Sequence, residues 1–304
     1  MQWTGVMPAI TTAFDERLNV DHAFVARHAR WLVANGCSGI VCLGSLGEAA
    51  TLTFAEKIAI MRTLVEAMAA SVPVVAAVSA LSTAEAVRIA QSAADSGAQG
   101  LMILPPYVYK GDWRETRLYI ETVLKATALP GMLYNNPVAY GTDFTPVQIG
   151  ELSDRSNNLA AVKESSTDIR RVSAIRALTG DRLSIMVGVD DAIVEGIAAG
   201  AVGWVAGLVN ALPRESVDLF NFAAQGDKEN AFAIYKWLLP LLRMDTVPKF
   251  VQLIKQVQEE AGVGSARVRP PRLQVVSDEL EETQKIYCDA MEHRPSIAKV
   301  SSAF

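Results

Sequence analysis

The chain has 304 residues, 50% hydrophobic and 20% charged, with a formal net charge of -5. That composition supports a large packed core and excludes a disordered or fibrous chain. Both charge signs are scattered, without the basic stripe a nucleic-acid or anionic-membrane partner needs.

Taken in chain order, short apolar runs alternate with longer stretches of helical period. Strands are predicted over 5–10, 39–43, 74–78, 100–104, 131–134, 159–163, 184–188 and 203–206. Helices are predicted over 25–34, 54–70, 83–95, 113–127 and 169–178, with a short one inside 190–199. Asp21, Thr53, Ser82, Asp112, Thr145 and Asp168 stand where N-caps belong. Beyond Gln225 the strand signals stop. Segments 232–242, 248–261 and 278–292 read as three appended helices, with a polar, proline-containing turn over 267–272. The expected division is therefore a barrel over 1–225 and a helical extension over 226–304.

Eight strands with intervening helices favour an α/β fold of the (β/α)₈ TIM-barrel type over an open doubly wound sheet. The open sheet places a glycine-rich phosphate turn after its first strand, and here that position reads Thr11-Thr12-Ala13-Phe14.

No apolar run reaches the roughly 18 residues of a membrane span. The N-terminus lacks a basic region followed by an apolar signal core, so a cytoplasmic location is expected. Cys37, Cys42 and Cys288 fit no metal spacing and read as buried free thiols. The three histidines, His22, His28 and His293, are too few and too scattered for a catalytic zinc, so no metal is expected.

In such barrels the chemistry gathers at the C-terminal ends of the strands. Lys163 ends the apolar run Leu159-Ala160-Ala161-Val162. Desolvation there favours a neutral amine, which can attack a ketone and form a Schiff base. A strand-end lysine that snorkels to solvent fits the same pattern. Tyr134 favours the catalytic reading, because it ends the adjacent strand and its phenol can relay protons to the amine. Gly44-Ser45-Leu46-Gly47-Glu48 offers backbone N–H groups and the Ser45 hydroxyl to a carboxylate, although a plain tight turn is the competing view. The loops after strands seven and eight carry Asp190, Asp191 and Glu215 and no second glycine-rich cradle. That argues against pyridoxal phosphate on Lys163, and no cofactor is expected. Asp190 and Asp191 are read as caps of the helix that follows.

At these residues the chain resembles the dihydrodipicolinate synthase / N-acetylneuraminate lyase family. The resemblance runs through the Gly44–Glu48 turn, Tyr134-Asn135-x-Pro137, Val162-Lys163-Glu164-Ser165 and Gly188-x-Asp190-Asp191. It implies a lyase with Lys163 as the Schiff-base residue, Tyr134 as the proton relay, and Ser45 with neighbouring amides holding the carboxylate of a small 2-oxo acid. Leu46, Gly47, Val205, Thr11, Asn136 and Tyr107 are expected to bind substrate, and a homotetramer built as a dimer of dimers is implied.

Two departures bear on substrate. The arginine that dihydrodipicolinate synthases place two residues after the Tyr-Asn-x-Pro proline is Ala139 here, and the second tyrosine of the loop after strand four is Val108, flanked by Tyr107 and Tyr109. Within the family the chain is similar to Δ1-pyrroline-4-hydroxy-2-carboxylate deaminases, through Trp3-x-Gly5-Val6-x-Pro8-Ala9, Gly203-Trp204-Val205, Asn210-Ala211-x-Pro213-Arg214-Glu215 and Arg269-Pro270-Pro271-Arg272-Leu273. An aldolase or dehydratase of sugar-derived 2-oxo acids, a 4-hydroxy-tetrahydrodipicolinate synthase, and a non-catalytic metabolite-binding member are the alternatives.

Overall fold

The computed structural model describes residues 1–295; the end of the expected extension, 296–304, lies outside the described residues. Eight short strands alternate with helices: β1 (Gly5–Pro8), α1 (His22–Ala34), β2 (Ile40–Cys42), α2 (Phe54–Met68), β3 (Val74–Val78), α3 (Thr83–Asp95), β4 (Gly100–Ile103), α4 (Trp113–Lys125) and β5 (Gly131–Asn135). There follow α5 (Pro137–Tyr140), α6 (Pro146–Arg155), β6 (Leu159–Glu164), α7 (Arg170–Thr179), β7 (Ser184–Val187), α8 (Ile193–Ala198), β8 (Gly203–Ala206) and α9 (Pro213–Gln225). Three further helices, α10 (Lys228–Leu242), α11 (Phe250–Glu260) and α12 (Ser277–Glu292), complete the described chain.

All strand pairs are parallel, in the order β1-β8-β7-β6-β5-β4-β3-β2. The ring closes between β1 and β2 through Ser38 N–H to Val6 O and Ile10 N–H to Val41 O, each 2.9 Å. This is the expected (β/α)₈ barrel. Its strands are nearly continuous in apolar, buried residues because helices cover them from outside. The helices contribute single apolar stripes: α3 buries Ala86, Ile89, Ala90 and Ala93, which recur at helical spacing.

Local chemistry fixes where the helices start. Asp21, Thr53, Ser82, Asp112 and Thr145 each accept a hydrogen bond from a backbone N–H of the first helical turn. Asp168 departs from that pattern. Ile169 occupies the cap position of α7, and the Asp168 carboxylate instead receives Arg170 N–H and pairs with the Arg170 guanidinium. Cys37 and Cys42 are buried as expected, but Cys288 is exposed on α12. Among the described residues no helix is long and apolar enough to cross a membrane.

Candidate active site

Strand alternation decides which side chains enter the barrel. Tyr134 and Lys163 are register partners on β5 and β6, so both point the same way, and their neighbours Asn135 and Glu164 point the other way. The outward pair is tied down: Asn135 Nδ2 donates to Glu164 Oε2 (3.0 Å), Phe144 N–H donates to Asn135 Oδ1 (3.0 Å), and Ser166 N–H donates to Glu164 Oε1 (2.7 Å). With both strand ends held from behind, the inward pair is fixed in front. Lys163 Nζ lies 4.3 Å from the centre of the Tyr134 ring, and both side chains are buried.

This pair faces a cavity of about 450 Å³ at the C-terminal end of the barrel. Of the residues expected to meet substrate, Lys163, Tyr134, Ser45, Leu46, Asn136 and Val205 line it. Three do not. Thr11 is buried behind the wall, its N–H donating to Asn210 Oδ1 and its hydroxyl to Gln258 Oε1. Gly47 turns its carbonyl to the Thr12 hydroxyl (2.7 Å). Tyr107 packs against Tyr140, ring centres 6.1 Å apart, and stays outside the cavity wall.

Burial sets the protonation states. Desolvation lowers the Lys163 pKa from 10.5 to about 8, against the raising influence of Asp245 and Asp190. A minor but far larger fraction of neutral, nucleophilic amine than an exposed lysine offers is therefore present near neutral pH. Tyr134 is pushed up to about 12 by burial, partly offset by Asn136, whose Nδ2 donates to its hydroxyl at 3.0 Å. The phenol keeps its proton and is available as a donor.

The Gly44–Glu48 turn serves two purposes. Among the described residues, the amides of Ser45 and Leu46, which line the cavity, are in no backbone hydrogen bond outside the regular elements and are free to donate to a ligand. Glu48, at φ 54°, precedes the 3-10 turn Ala49–Thr51 but makes no side-chain cap to it. Its carboxylate is fully buried and meets Lys255 Nζ (2.8 Å) and Arg269 N–H (3.0 Å), both from the C-terminal extension.

Asp190 and Asp191 also act differently from expectation. No side-chain cap is formed at the start of the helical segment they precede. Asp190 instead accepts from Trp204 Nε1 (2.9 Å), Gly207 N–H (3.1 Å) and Leu208 N–H (2.7 Å), bracing the loop after β8. The Asp191 carboxylate pairs with Arg243 at 3.7 Å.

Sequence reasoning passed over three residues. Tyr140, on the single turn α5, hydrogen-bonds Ser45 through its hydroxyl and meets the Tyr134 ring edge-on at 5.8 Å. The tyrosine that reaches Ser45 thus comes from the loop after β5 and not from the loop after β4 that carries Tyr107, Val108 and Tyr109. Tyr109 itself is exposed and bonds Glu115. Ser165 lines the cavity, and its buried hydroxyl has no formed hydrogen bond among the described residues. Asp245 enters the wall from the extension, together with Thr246, Val247, Pro248 and Phe250. Only Tyr140, next to the Ala139 departure, carried a local signal.

A parallel barrel that holds a desolvated strand-six lysine against a strand-five tyrosine defines a lysine-dependent, class I lyase. The chain belongs to the dihydrodipicolinate synthetase family, whose model matches residues 2–289. It is 32% identical over 278 residues to the 4-hydroxy-tetrahydrodipicolinate synthase of Methanothrix thermoacetophila, covering 91% of this chain and 93% of that one. It is 34% identical over 230 residues to the synthase of Saccharophagus degradans, covering 76% and 79%. Among solved structures, dihydrodipicolinate synthase from Aquifex aeolicus superposes with a TM-score of 0.91 at 26% identity, covering 94% of this chain and 98% of that one. Family members are class I lyases that act on small molecules through a lysine Schiff base.

Proposed function

We propose that this lyase deaminates Δ1-pyrroline-4-hydroxy-2-carboxylate to 2,5-dioxopentanoate and ammonia, with Lys163 as the Schiff-base residue. The observation that carries the lysine chemistry is the Lys163 amine, partly neutral at physiological pH, set over the Tyr134 ring at the cavity head. The amine adds to C2 of the ring imine, and expulsion of the ring nitrogen leaves an iminium on Lys163 and a free amine at C5. Tyr134 moves protons between the two nitrogens as the carbinolamine-like adduct collapses. The substrate carboxylate rests on the Ser45 and Leu46 amides, with Leu46 and Val205 closing the apolar sides and Asn136 orienting the phenol. Loss of a C3 proton gives an enamine, which expels the C4 hydroxyl as water. Tautomerisation then yields an imine at C5. Two waters hydrolyse the C5 and C2 imines, releasing ammonia and product and restoring Lys163.

The lining supports a substrate with one carboxylate. Lys163 is the only basic side chain among the described residues of the cavity wall, and Ala139 stands in that wall where synthases carry their arginine. A second carboxylate would be buried without a partner, at a cost of several kcal/mol. Condensation of pyruvate with aspartate semialdehyde, the second reading, is favoured by the names of the relatives, at identities near 30%. Turnover of a panel decides: the hydroxy-pyrroline, 4-hydroxy-2-oxoglutarate, 3-deoxy-2-oxo sugar acids, and pyruvate with aspartate semialdehyde. Rapid turnover of the last pair would overturn the deaminase assignment.

A four-chain assembly, built as a dimer of dimers, belongs to the same proposal. Exposed apolar side chains such as Val108 (77%) and Val138 (72%) beside the cavity mouth are consistent with it. Light scattering of the purified protein measures the mass.

A further inference from the structure

The sequence of Arg243-Met244-Asp245-Thr246 suggests an ordinary polar link between two helices. In the structure it is one 3-10 turn that lays Asp245 against the barrel mouth. Both sides of that seat are fixed. Arg243 pairs with Asp191 at the end of β7, and Asp190 holds the Gly207 and Leu208 amides after β8. A β-carbon on Gly207 would stand 2.1 Å from Asp245 Oδ1, so a residue without a side chain is what admits the carboxyl.

Asp245 has the features of a group held for a ligand. It lines the same cavity as Lys163 and accepts no hydrogen bond from a described residue; desolvation acts on it first, then the charges of Asp190, Lys163 and Asp191. Lys163 likewise senses Asp245 only through charge, with no ion pair formed between them. Asp190 and Glu48, by contrast, are fully buried and hydrogen-bonded within the protein, whereas Asp245 stays partly accessible from the cavity.

We propose that Asp245 is a catalytic acid of the lyase and protonates the hydroxyl that leaves C4. This rests on the Schiff-base reading of Lys163 given above. In the enamine formed on Lys163, the nitrogen lone pair restores the C2=N iminium, the C2=C3 electrons become C3=C4, and the C4–O bond breaks. The departing oxygen takes the Asp245 proton and leaves as water, and Asp245 is left as carboxylate until it regains a proton from solvent. Desolvation and the neighbouring Asp190 hold its carboxyl well above the usual range, while Lys163 pulls the other way, so it holds a proton more readily than an exposed aspartate does. Tyr134 cannot do this work as well, because it is committed to the imine nitrogen at the opposite end of the reacting carbons.

The test compares leaving groups. Wild type and Asp245→Asn are each given Δ1-pyrroline-4-hydroxy-2-carboxylate and its 4-chloro counterpart, whose chloride departs without a proton. The expected result is a loss of about 10²-fold or more in kcat on the hydroxy substrate, a typical general-acid contribution, and under about fivefold on the chloro compound. Equal losses on both substrates, or no loss on either, overturn the assignment. Should Asp245→Asn not fold, Asp245→Ala with added formate replaces it: rescue confined to the hydroxy substrate supports the acid role, and absence of rescue overturns it. Borohydride trapping of wild type with pyruvate runs alongside. An unmodified Lys163 there would sink the Schiff-base reading itself, a failure separate from that of Asp245.

Discussion

Gly188 lies directly against the Lys163 side chain: a β-carbon built on it would sit 2.5 Å from Lys163 Cε and 2.7 Å from Cγ. It would also meet the Ser165 hydroxyl at 2.0 Å. The end of β7 therefore supplies the space through which the lysine stem reaches its place over Tyr134. Gly188→Ala is expected to push the amine off that position. Stability should fall by about 1–3 kcal/mol, as for other overpacked sites. Borohydride trapping with pyruvate, read by intact mass, should slow by at least about 10²-fold, in line with the loss of a positioned reacting group. Normal trapping would mean that the stem has another route into the cavity.

The amine's pKa of about 8 sets a pH dependence with a definite sign. Only the neutral form attacks, so the rate of pyruvate trapping should climb as pH rises through about 8 and level off above it. Tyr134, held up to about 12, should add no inflection below that plateau. Stability follows the same group. The unfolded lysine, near 10.5, binds a proton that the folded one has released, so this residue's unfavourable contribution is full below pH 8 and shrinks between 8 and 10.5. Initial trapping rates across pH 6–10 check the first statement.

Tyr140 and Tyr109 should separate cleanly. Tyr140→Phe removes the hydroxyl that bonds Ser45 and should lower kcat about tenfold, the worth of one hydrogen bond near 1.4 kcal/mol, with little change in KM. Tyr134→Phe should cost about 10²-fold or more, as loss of a proton relay does. Tyr109→Phe, altering an exposed contact to Glu115, should leave turnover unchanged. A Tyr109 variant as slow as the Tyr140 one would show that the loop after β4 also reaches the reacting groups.

The Glu48–Lys255 pair is shielded from water on both sides, with side chains 0% and 2% exposed. Removing Lys255 leaves the buried Glu48 carboxylate with only the Arg269 N–H and the Arg272 guanidinium at 3.9 Å. Lys255→Met should destabilise by about 3–5 kcal/mol, and adding Glu48→Gln to it should restore part of the loss. Urea unfolding of the single and double variants measures the coupling. Additive losses would show that the pair contributes no mutual stabilisation.

How much of this was legible in the sequence follows from the range over which each feature is determined. The strands over 74–78 and 203–206 match the structure residue for residue, because a buried parallel strand is an uninterrupted apolar run. The caps at Thr53 and Asp112 were equally clear, since a capping box is complete within four residues. Lys163 and Tyr134 were legible because ending adjacent strands is itself a statement about space. Thr11 looked similar at the end of β1, yet its hydroxyl is taken by Gln258, 247 positions away, and no local pattern records that. Asp245 and the Glu48–Lys255 pair escaped for the same reason. They depend on how the extension folds back over the strand ends, which spacing along the chain does not encode.

That fold-back also dictates when a newly made chain becomes an enzyme. β1 finds its second neighbour, and the ring closes, only after β8 has emerged, and the roof of the reaction chamber is contributed by residues 245–250, later still. A translation product halted near residue 225 would possess the nucleophile and the phenol yet leave Glu48 without a counter-charge and the chamber flooded. Competence is thus conferred only after the barrel itself has been made, by a segment that contains none of the eight strands.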